Sequence, residues 1–586
     1  MTSIATILAA AAGLAAQNKE LRVSLAAVAD LAAELDLARA LPRLPREEIP
    51  HPGSDAAAAG AGPVHPVVII PGFVTSSLEL WAGPPCAAPH FRSRFWGGIT
   101  MTQRLLTDKA CWLETMALDP ETGTDPRVKD GAGSRVRLRA VPGLAGVDYF
   151  LPGYGVWARL IEELAAAGYD ANTLAAEPYD WRLSIAALED RDGLFTRMRS
   201  RVETMVATAG GAKAFLVAHS WGDNVARAFF AFVEKQTPGW VETHVAHYAN
   251  IAGPTLGAVK SLPALLSGEA RDTAELGAVA AFLGDNFVSR AARAALFRSW
   301  PGALGMLPVG GARAWGNATA APDDGPAMAL EGASFGALLS IAGDDGGADG
   351  DGDGDGPPKP LDATAALDLL LGAIPPAVAA RAREAGVGSP PGARPADCGR
   401  GGSALQCPLP HAPGLSIYCL YGVGKPTERA YVYKKDAGGL RIDARATATA
   451  PGLAQNGSAG TALLSAGVPA HPLGGVDDGV RLADGDGTVP LLSLGALCAR
   501  HWRDGALNPG NARVVTRESR HAPLDFLKAG LNTRGGPRSA DHVDVLGHAD
   551  ILADVVAIAT GSGGALTDRF HSDVRAIAAR LPLHGW

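Results

Sequence analysis

The residues best placed for covalent chemistry lie in A-F-L-V-A-H-S-W-G-D-N-V-A-R-A-F-F, residues 214–230. Ala214 to Val217 read as a short buried strand, Ala218 to Gly222 as a sharp break, and Val225, Ala226, Phe229, Phe230 and Val233 fall at helical spacing. Strand, tight turn and helix together lift a serine hydroxyl out of the backbone at the carboxyl end of a strand, the setting of a nucleophile elbow, and they nominate Ser220. The turn pattern is G-x-S-x-G; Ala218 stands at its first glycine and adds one methyl where the strand and helix nearly touch. Alone, these five residues fit a structural turn serine as well as a nucleophile.

A hydroxyl is a poor nucleophile near neutral pH, so an imidazole must take its proton and a carboxylate must orient that imidazole. The stretch D-G-D-G-T-V-P-L-L-S-L, residues 484–494, offers Asp484 and Asp486; S-A-D-H-V-D-V-L-G-H, residues 539–548, offers His542 and His548. Serine, acid, histidine is the chain order of the α/β-hydrolase triad. Asp484 and Asp486 compete for the orienting role. His542, on a loop before the helix at 551–559, is the better base candidate, although spacing does not separate it from His548. Upstream, H-P-V-V-I-I-P-G-F reads as a buried parallel strand ended sharply at Pro71-Gly72. In that architecture the loop after such a strand and the residue after the nucleophile each give a backbone N–H to the oxyanion, which nominates Phe73 and Trp221. An ordinary strand-to-loop turn fits the segment equally well.

These residues need a frame. Strands at 67–70, 214–217 and 244–251 alternate with helices at 153–167 and 193–208, and strands at 415–421 and 512–516 precede the last helix. The alternation predicts an α/β-hydrolase fold, a mainly parallel sheet flanked by helices, with inserted cap and lid segments. Residues 1–64 read as an amphipathic helical segment (19–41) and linker, and 65–257 as core with a lid loop at about 82–126. Residues 258–342 read as a cap, 343–410 as a low-complexity, partly disordered insertion, and 411–586 as the rest of the core. The mixed charges on the polar face of 19–41 favour packing over a membrane-surface role.

The loop at 82–126 is irregular and aromatic-rich, suited to dip into lipid or to act as a buried cover. Cys86 and Cys111 bracket most of it, 25 residues apart, and a bond between them would contribute about 3 kcal/mol. Asp180 with Arg182 reads as an internal ion pair. The Asp-Gly run at 343–360 lacks the recurring glutamate of a calcium loop and, with 385–410, is expected to be a loose surface segment.

Composition narrows the classes. A formal charge of −8 over 586 residues gives no attraction for phosphate backbones, so no nucleic-acid partner is expected. Six cysteines without paired C-x-x-C spacing leave no zinc motif, and neither metal nor cofactor is expected. The apolar run at the start is about a dozen residues against the ~20 that span a bilayer, so it reads neither as a transmembrane helix nor as a signal peptide. Two sequons, Asn317-Ala318-Thr319 and Asn456-Gly457-Ser458, matter only in a secretory lumen, and such triplets often arise by chance.

Longer blocks carry a resemblance. P-V-V-I-I-P-G-F-V-T-S-S-L-E-L-W, F-R-S-R-F-W-G-G, C-W-L-E-T-M-A-L-D-P-E-T-G-T-D-P, Y-D-W-R-L-S, L-Y-G-V-G-K-P-T-E-R-A-Y-V-Y, D-G-D-G-T-V-P-L-L-S-L-G and A-D-H-V-D-V-L-G run in order from about 65 to 560. Together they resemble the lecithin:cholesterol acyltransferase family, and within it the members with a diacylglycerol acceptor. The resemblance implies transfer of a fatty acyl group from the sn-2 position of a phospholipid to diacylglycerol, with Ser220 as nucleophile, Asp486 as triad acid and His542 as base. It implies a lid closed by a Cys86–Cys111 disulfide, a lid aromatic at Trp96, and peripheral contact with a membrane or lipid-droplet surface. The endoplasmic reticulum is the expected compartment and the plastid the alternative. A phospholipase or lipase using water as acceptor, and an inactive lipid-binding relative, remain the competing expectations.

Overall fold

The computed structural model describes residues 49–128, 135–151, 154–269, 288–325, 328, 334–342, 358–390, 392–436, 439–442, 476–477, 479–503, 505–524 and 535–583. The expected helix at 19–41, the run at 343–357 and the sequon at Asn456 lie outside them.

Six strands form the central sheet: β1 (Val67–Ile70), β2 (Leu174–Ala176), β3 (Ala214–His219), β4 (Val245–Ile251), β5 (Ser416–Val423) and β6 (Arg513–Arg520). Their order is β6-β5-β4-β3-β1-β2, and every pairing is parallel. Each residue of β1 and β3 is buried, as continuous apolar runs covered on both faces require. Helices α1 (Ala158–Ala166), α2 (Leu194–Thr208), α3 (Gly222–Gln236) and α4 (Ala549–Ala559) pack around the sheet. This is the α/β class expected. Register brings Ile70 beside Ala218, and His219 beside Ile251, so the carboxyl ends of the central strands form one edge.

Several elements differ from expectation. A second sheet, unforeseen, joins Leu339–Ile341, Lys359–Leu361, Thr427–Asp436, Gly439–Ile442, Val476–Asp477 and Val480–Ala483. Most of these strands have two to four residues, too short for a period to register. The segment expected as irregular at 82–126 is regular: Leu78–Ala82 pairs with Arg94–Trp96 and Arg137–Ala140, and helices follow at Ile99–Thr107 and Lys109–Met116. The linker at 42–64 contains a helix, Pro52–Ala58, started by a proline in its first turn. Residues 358–410, expected as loose, carry helices at Ala363–Ala373 and Pro376–Glu384, and a Cys398–Cys407 disulfide closes the turn beyond them. The helix expected over 153–167 begins only at Ala158, after a short strand at Tyr154–Gly155. Beyond α4, a further helix, Val574–Arg580, packs on Leu491–Ala496. No helix among the described residues is long and apolar enough to cross a membrane.

Candidate active site

Ser220 sits between β3 and α3 with φ of 55°, a left-handed conformation that a serine adopts only where its surroundings enforce it. Close backbone approach supplies that enforcement. A Cβ on Gly222 would stand 2.6 Å from the carbonyl oxygens of Ile70 and Pro71, so only glycine lets α3 start this near β1. A Cβ on Gly72 would stand 2.8 Å from the Ser220 Cβ, so the loop after β1 lies directly against the serine. The methyl of Ala218 is buried within β3.

Three side chains from distant segments meet here. His542 Nε2 is 2.8 Å from Ser220 Oγ, and His542 Nδ1 is 2.7 Å from Asp486 Oδ2. The other oxygen of Asp486 accepts from the amides of Thr488 at 3.0 Å and Val489 at 2.8 Å, which fixes the orientation of the carboxylate. Asp486 follows a strand of the second sheet, not of the parallel sheet, and reaches the edge because it bridges to Lys425 just past the end of β5. Lys425 also pairs with Asp541, beside His542. Burial pushes the His542 imidazole toward its neutral form, but the Asp486 carboxylate outweighs it and raises the pKa above that of free histidine.

The competing residues do other work. Asp484 accepts the Gly424 amide at 2.7 Å, tying the acid loop to the end of β5. His548 caps α4 by accepting the Asp550 amide at 3.2 Å. Asp180 and Arg182 are buried and paired at 2.7 Å, with Arg191 completing the ion cluster. Burial would raise the Asp180 pKa, but the two guanidiniums hold it well below the carboxylate range.

Phe73 follows Gly72, and Trp221 follows the serine. Neither amide donates to another protein group among the described residues, which leaves both N–H groups available beside Ser220. Tyr179 holds this loop from below through its hydroxyl to Pro71 O, 2.6 Å. Cys86 and Cys111 are disulfide-bonded. Trp96 does not point outward. It packs on Trp112, Phe150 and Trp181, and its indole N–H donates to Val74 O at 2.7 Å. The exposed aromatics of this segment are Trp81 at 41% and Phe91 at 61%, in edge contact with each other.

His219 escaped the sequence reading. Its ring is buried, and Nε2 lies 2.7 Å from the carbonyl oxygen of His542. Burial, with His542 nearby, lowers its pKa to about 3, so the ring is neutral and Nε2–H donates to that oxygen. The signal was a histidine adjoining the candidate nucleophile, visible but without an assignable partner. Ser220 and His542 are each only 7% exposed, and a cavity of about 800 Å³, lined in part by Arg135, Arg191 and Arg381, does not include them. Among the described residues a single group of metal-type ligands clusters, Cys86, Asp108 and Cys111, and two of its three atoms are spent in the disulfide.

Fold and geometry define an α/β protein with a hydrogen-bonded serine–histidine–aspartate set at the carboxyl edge of its parallel sheet. The chain belongs to the lecithin:cholesterol acyltransferase family, whose model matches residues 90–330 and 403–549. Among its relatives is the phospholipid:diacylglycerol acyltransferase of Schizosaccharomyces pombe, 34% identical over 89% of this chain and 76% of that protein. The enzyme of the same name from Saccharomyces cerevisiae is 32% identical over 88% and 74%. Phospholipid:diacylglycerol acyltransferase 1 of Arabidopsis thaliana is 32% identical over 91% and 86%.

Proposed function

We propose that this chain is a phospholipid:diacylglycerol acyltransferase of the α/β-hydrolase fold, working through an acyl-serine. The observation that carries the reading is that relatives so named match about nine-tenths of the chain. The Ser220–His542–Asp486 geometry supports it. Ser220 Oγ attacks the sn-2 ester carbon of a phospholipid as its proton passes to His542 Nε2. The Phe73 and Trp221 amides stabilise the oxyanion. The bond to the glycerol oxygen breaks, and His542 returns the proton to that oxygen, releasing lysophospholipid. The hydroxyl of diacylglycerol then gives its proton to His542, attacks the acyl carbon and leaves as triacylglycerol, restoring Ser220–OH.

Water is the competing acceptor, and a covered serine supports transfer over hydrolysis because the acyl-enzyme must persist until a lipid alcohol arrives. The segment at 82–126, tethered by Cys86–Cys111, is the proposed lid, and 258–342 the proposed cap. The exposed Trp81 and Phe91 support peripheral contact with a membrane or lipid-droplet surface, with the endoplasmic reticulum as the site of action.

The test is incubation of phospholipid labelled in its sn-2 chain with diacylglycerol. Label is expected in triacylglycerol, and none with Ser220→Ala. Label mainly in free fatty acid would make the chain a phospholipase; equal transfer by Ser220→Ala would remove the serine from the mechanism.

A further inference from the structure

A base that serves both halves of an acyl transfer must keep its place while its contacts change. In this structure His542 is held at four points. Its ring Nε2 lies 2.8 Å from Ser220 Oγ and its ring Nδ1 2.7 Å from Asp486 Oδ2. Its backbone N–H donates to Asp486 O at 2.8 Å, and its backbone carbonyl accepts from His219 Nε2–H at 2.7 Å. Two of these contacts run to the acid loop and two to the elbow. Once Ser220 is esterified, neither its oxygen nor the neutral imidazole Nε2 carries a proton, so the contact between them is lost. Of the four, His219 then supplies the one that still ties the base to β3.

The surroundings of His219 suit that task. It is the last residue of β3, directly before the nucleophile, at the point where Ser220 N donates to Ile251 O at 2.8 Å and anchors the turn. Its ring is wholly buried, with Trp157 packed edge-on at 6.0 Å between centroids. A carbonyl oxygen only accepts, so Nε2 carries the hydrogen and Nδ1 is left as a bare acceptor. Nδ1 has no hydrogen-bond partner among the described residues, and it faces Gly72, 3.1 Å from where a Cβ there would stand. A buried acceptor without a partner costs stability that an apolar side chain of similar length would not. The position thus holds a side chain poorer for stability than leucine or methionine, and what it gains is one donor aimed at the carbonyl of the base. With its pKa lowered to about 3 by burial and by His542, the ring keeps that donor unchanged across neutral pH.

We propose that His219 is a positioning residue whose hydrogen bond to the His542 carbonyl keeps the imidazole at the acyl-serine for the second half-reaction. In that step the acceptor hydroxyl passes its proton to His542 Nε2 as its oxygen bonds to the acyl carbon. The bond from that carbon to Ser220 Oγ then breaks, and Oγ takes the proton back from His542. This role rests on the acyl-serine mechanism.

Glutamine and methionine separate the donor from the volume, since both are long enough to reach the carbonyl and only glutamine carries an N–H there. With phospholipid labelled in its sn-2 chain and diacylglycerol as acceptor, His219→Met is expected to lower kcat roughly tenfold, part of the 10²–10⁴ that a positioned base supplies. The value of kcat/KM for phospholipid, which reports acylation alone, should change less than about threefold, while acid-quenched protein carries more label than the unmutated enzyme. His219→Gln should regain most of the lost rate. A merely structural loss lowers kcat and kcat/KM together through the fraction of folded enzyme and adds no protein-bound label. That result, or a glutamine variant as slow as the methionine one, would overturn the role. Transfer that survives Ser220→Ala would instead remove the acyl-serine itself. Should neither variant fold, proton resonances of the unmutated enzyme decide: the Nε2–H of His219 is expected to resist solvent exchange and to stay unmoved between about pH 8 and pH 5, and one that exchanges freely or titrates near 6.5 would overturn the hydrogen bond.

Discussion

The carboxyl edge of the parallel sheet and the disulfide-tethered segment at 78–128 contribute to the same site by different means. At the edge, backbone sets position: strand register, the left-handed Ser220 and two glycines with no room for a Cβ bring the hydroxyl to within 2.8 Å of His542. In the tethered segment, side chains set position: one disulfide and the indoles of Trp96 and Trp112, which donate to Val74 O and Phe95 O. The first arrangement tolerates almost no displacement, as proton transfer requires. The proposed lid role asks the second to move as a body, to admit a lipid. Mutations should therefore separate the regions, the edge acting on rate and the segment on stability and placement.

The largest effect is expected at the edge. His542→Ala should lower acyl transfer on the order of 10⁴-fold, the scale at which other serine triads fail when a member is lost. His548→Ala should leave the rate near normal and cost about 1 kcal/mol of stability, the worth of a helix cap. Equal losses of rate would erase the distinction between the two histidines. Asp486→Asn tests the same point by pH. A base must be neutral to accept a proton, so acylation rises with pH through the His542 pKa, which the carboxylate raises above 6.5. Without that charge the acid limb of kcat/KM moves to lower pH while its plateau falls. An acid limb that stays in place would deny the carboxylate its role.

The next effect belongs to the tether. Cys86→Ser with Cys111→Ser should cost about 3 kcal/mol, by loss of the constraint on a loop of this length in the unfolded chain. Thermal unfolding measures it. Because the edge does not depend on the tether for its own geometry, the Ser220-dependent rate should fall far less than in His542→Ala. A loss as deep as that of His542→Ala would mean the tether holds the triad.

The same contrast decides what the sequence could reveal. The edge was legible because its elements are long and regular: β3 and α3 announce themselves by period, and the order serine, acid, histidine survives any loop length. Spacing alone did not choose Asp486 over Asp484 or His542 over His548, since each pair is two or six residues apart and only three-dimensional partners differ; the family resemblance made that choice. The second sheet was missed because most of its strands have two to four residues and no measurable period, and the folding of 82–126 and 358–410 because their helices are short, of eight to eleven residues, with a disulfide in each segment. His219 was missed because its hydrogen-bond partner is the backbone of a residue 323 positions away.

Trp96 marks where the two regions touch, and it gives the smallest and most discriminating effect. Its N–H is one of the tethered segment's hydrogen bonds to the loop carrying Phe73, and it meets that loop at Val74, which holds φ of 58°. A β-branched residue in that conformation is strained and stays there only while its neighbours insist. Trp96→Phe keeps most of the ring packing on Trp112, Phe150 and Trp181 but removes the donor. One neutral hydrogen bond is worth about 1 kcal/mol net, so relaxation of Val74 should cost roughly fivefold in kcat if the Phe73 amide shifts away from the oxyanion. Because Trp96 touches neither Ser220 nor His542, the pH profile should keep its acid limb and thermal stability should change little. A rise in KM alone, or a fall in membrane affinity alone, would instead make Trp96 a lipid contact.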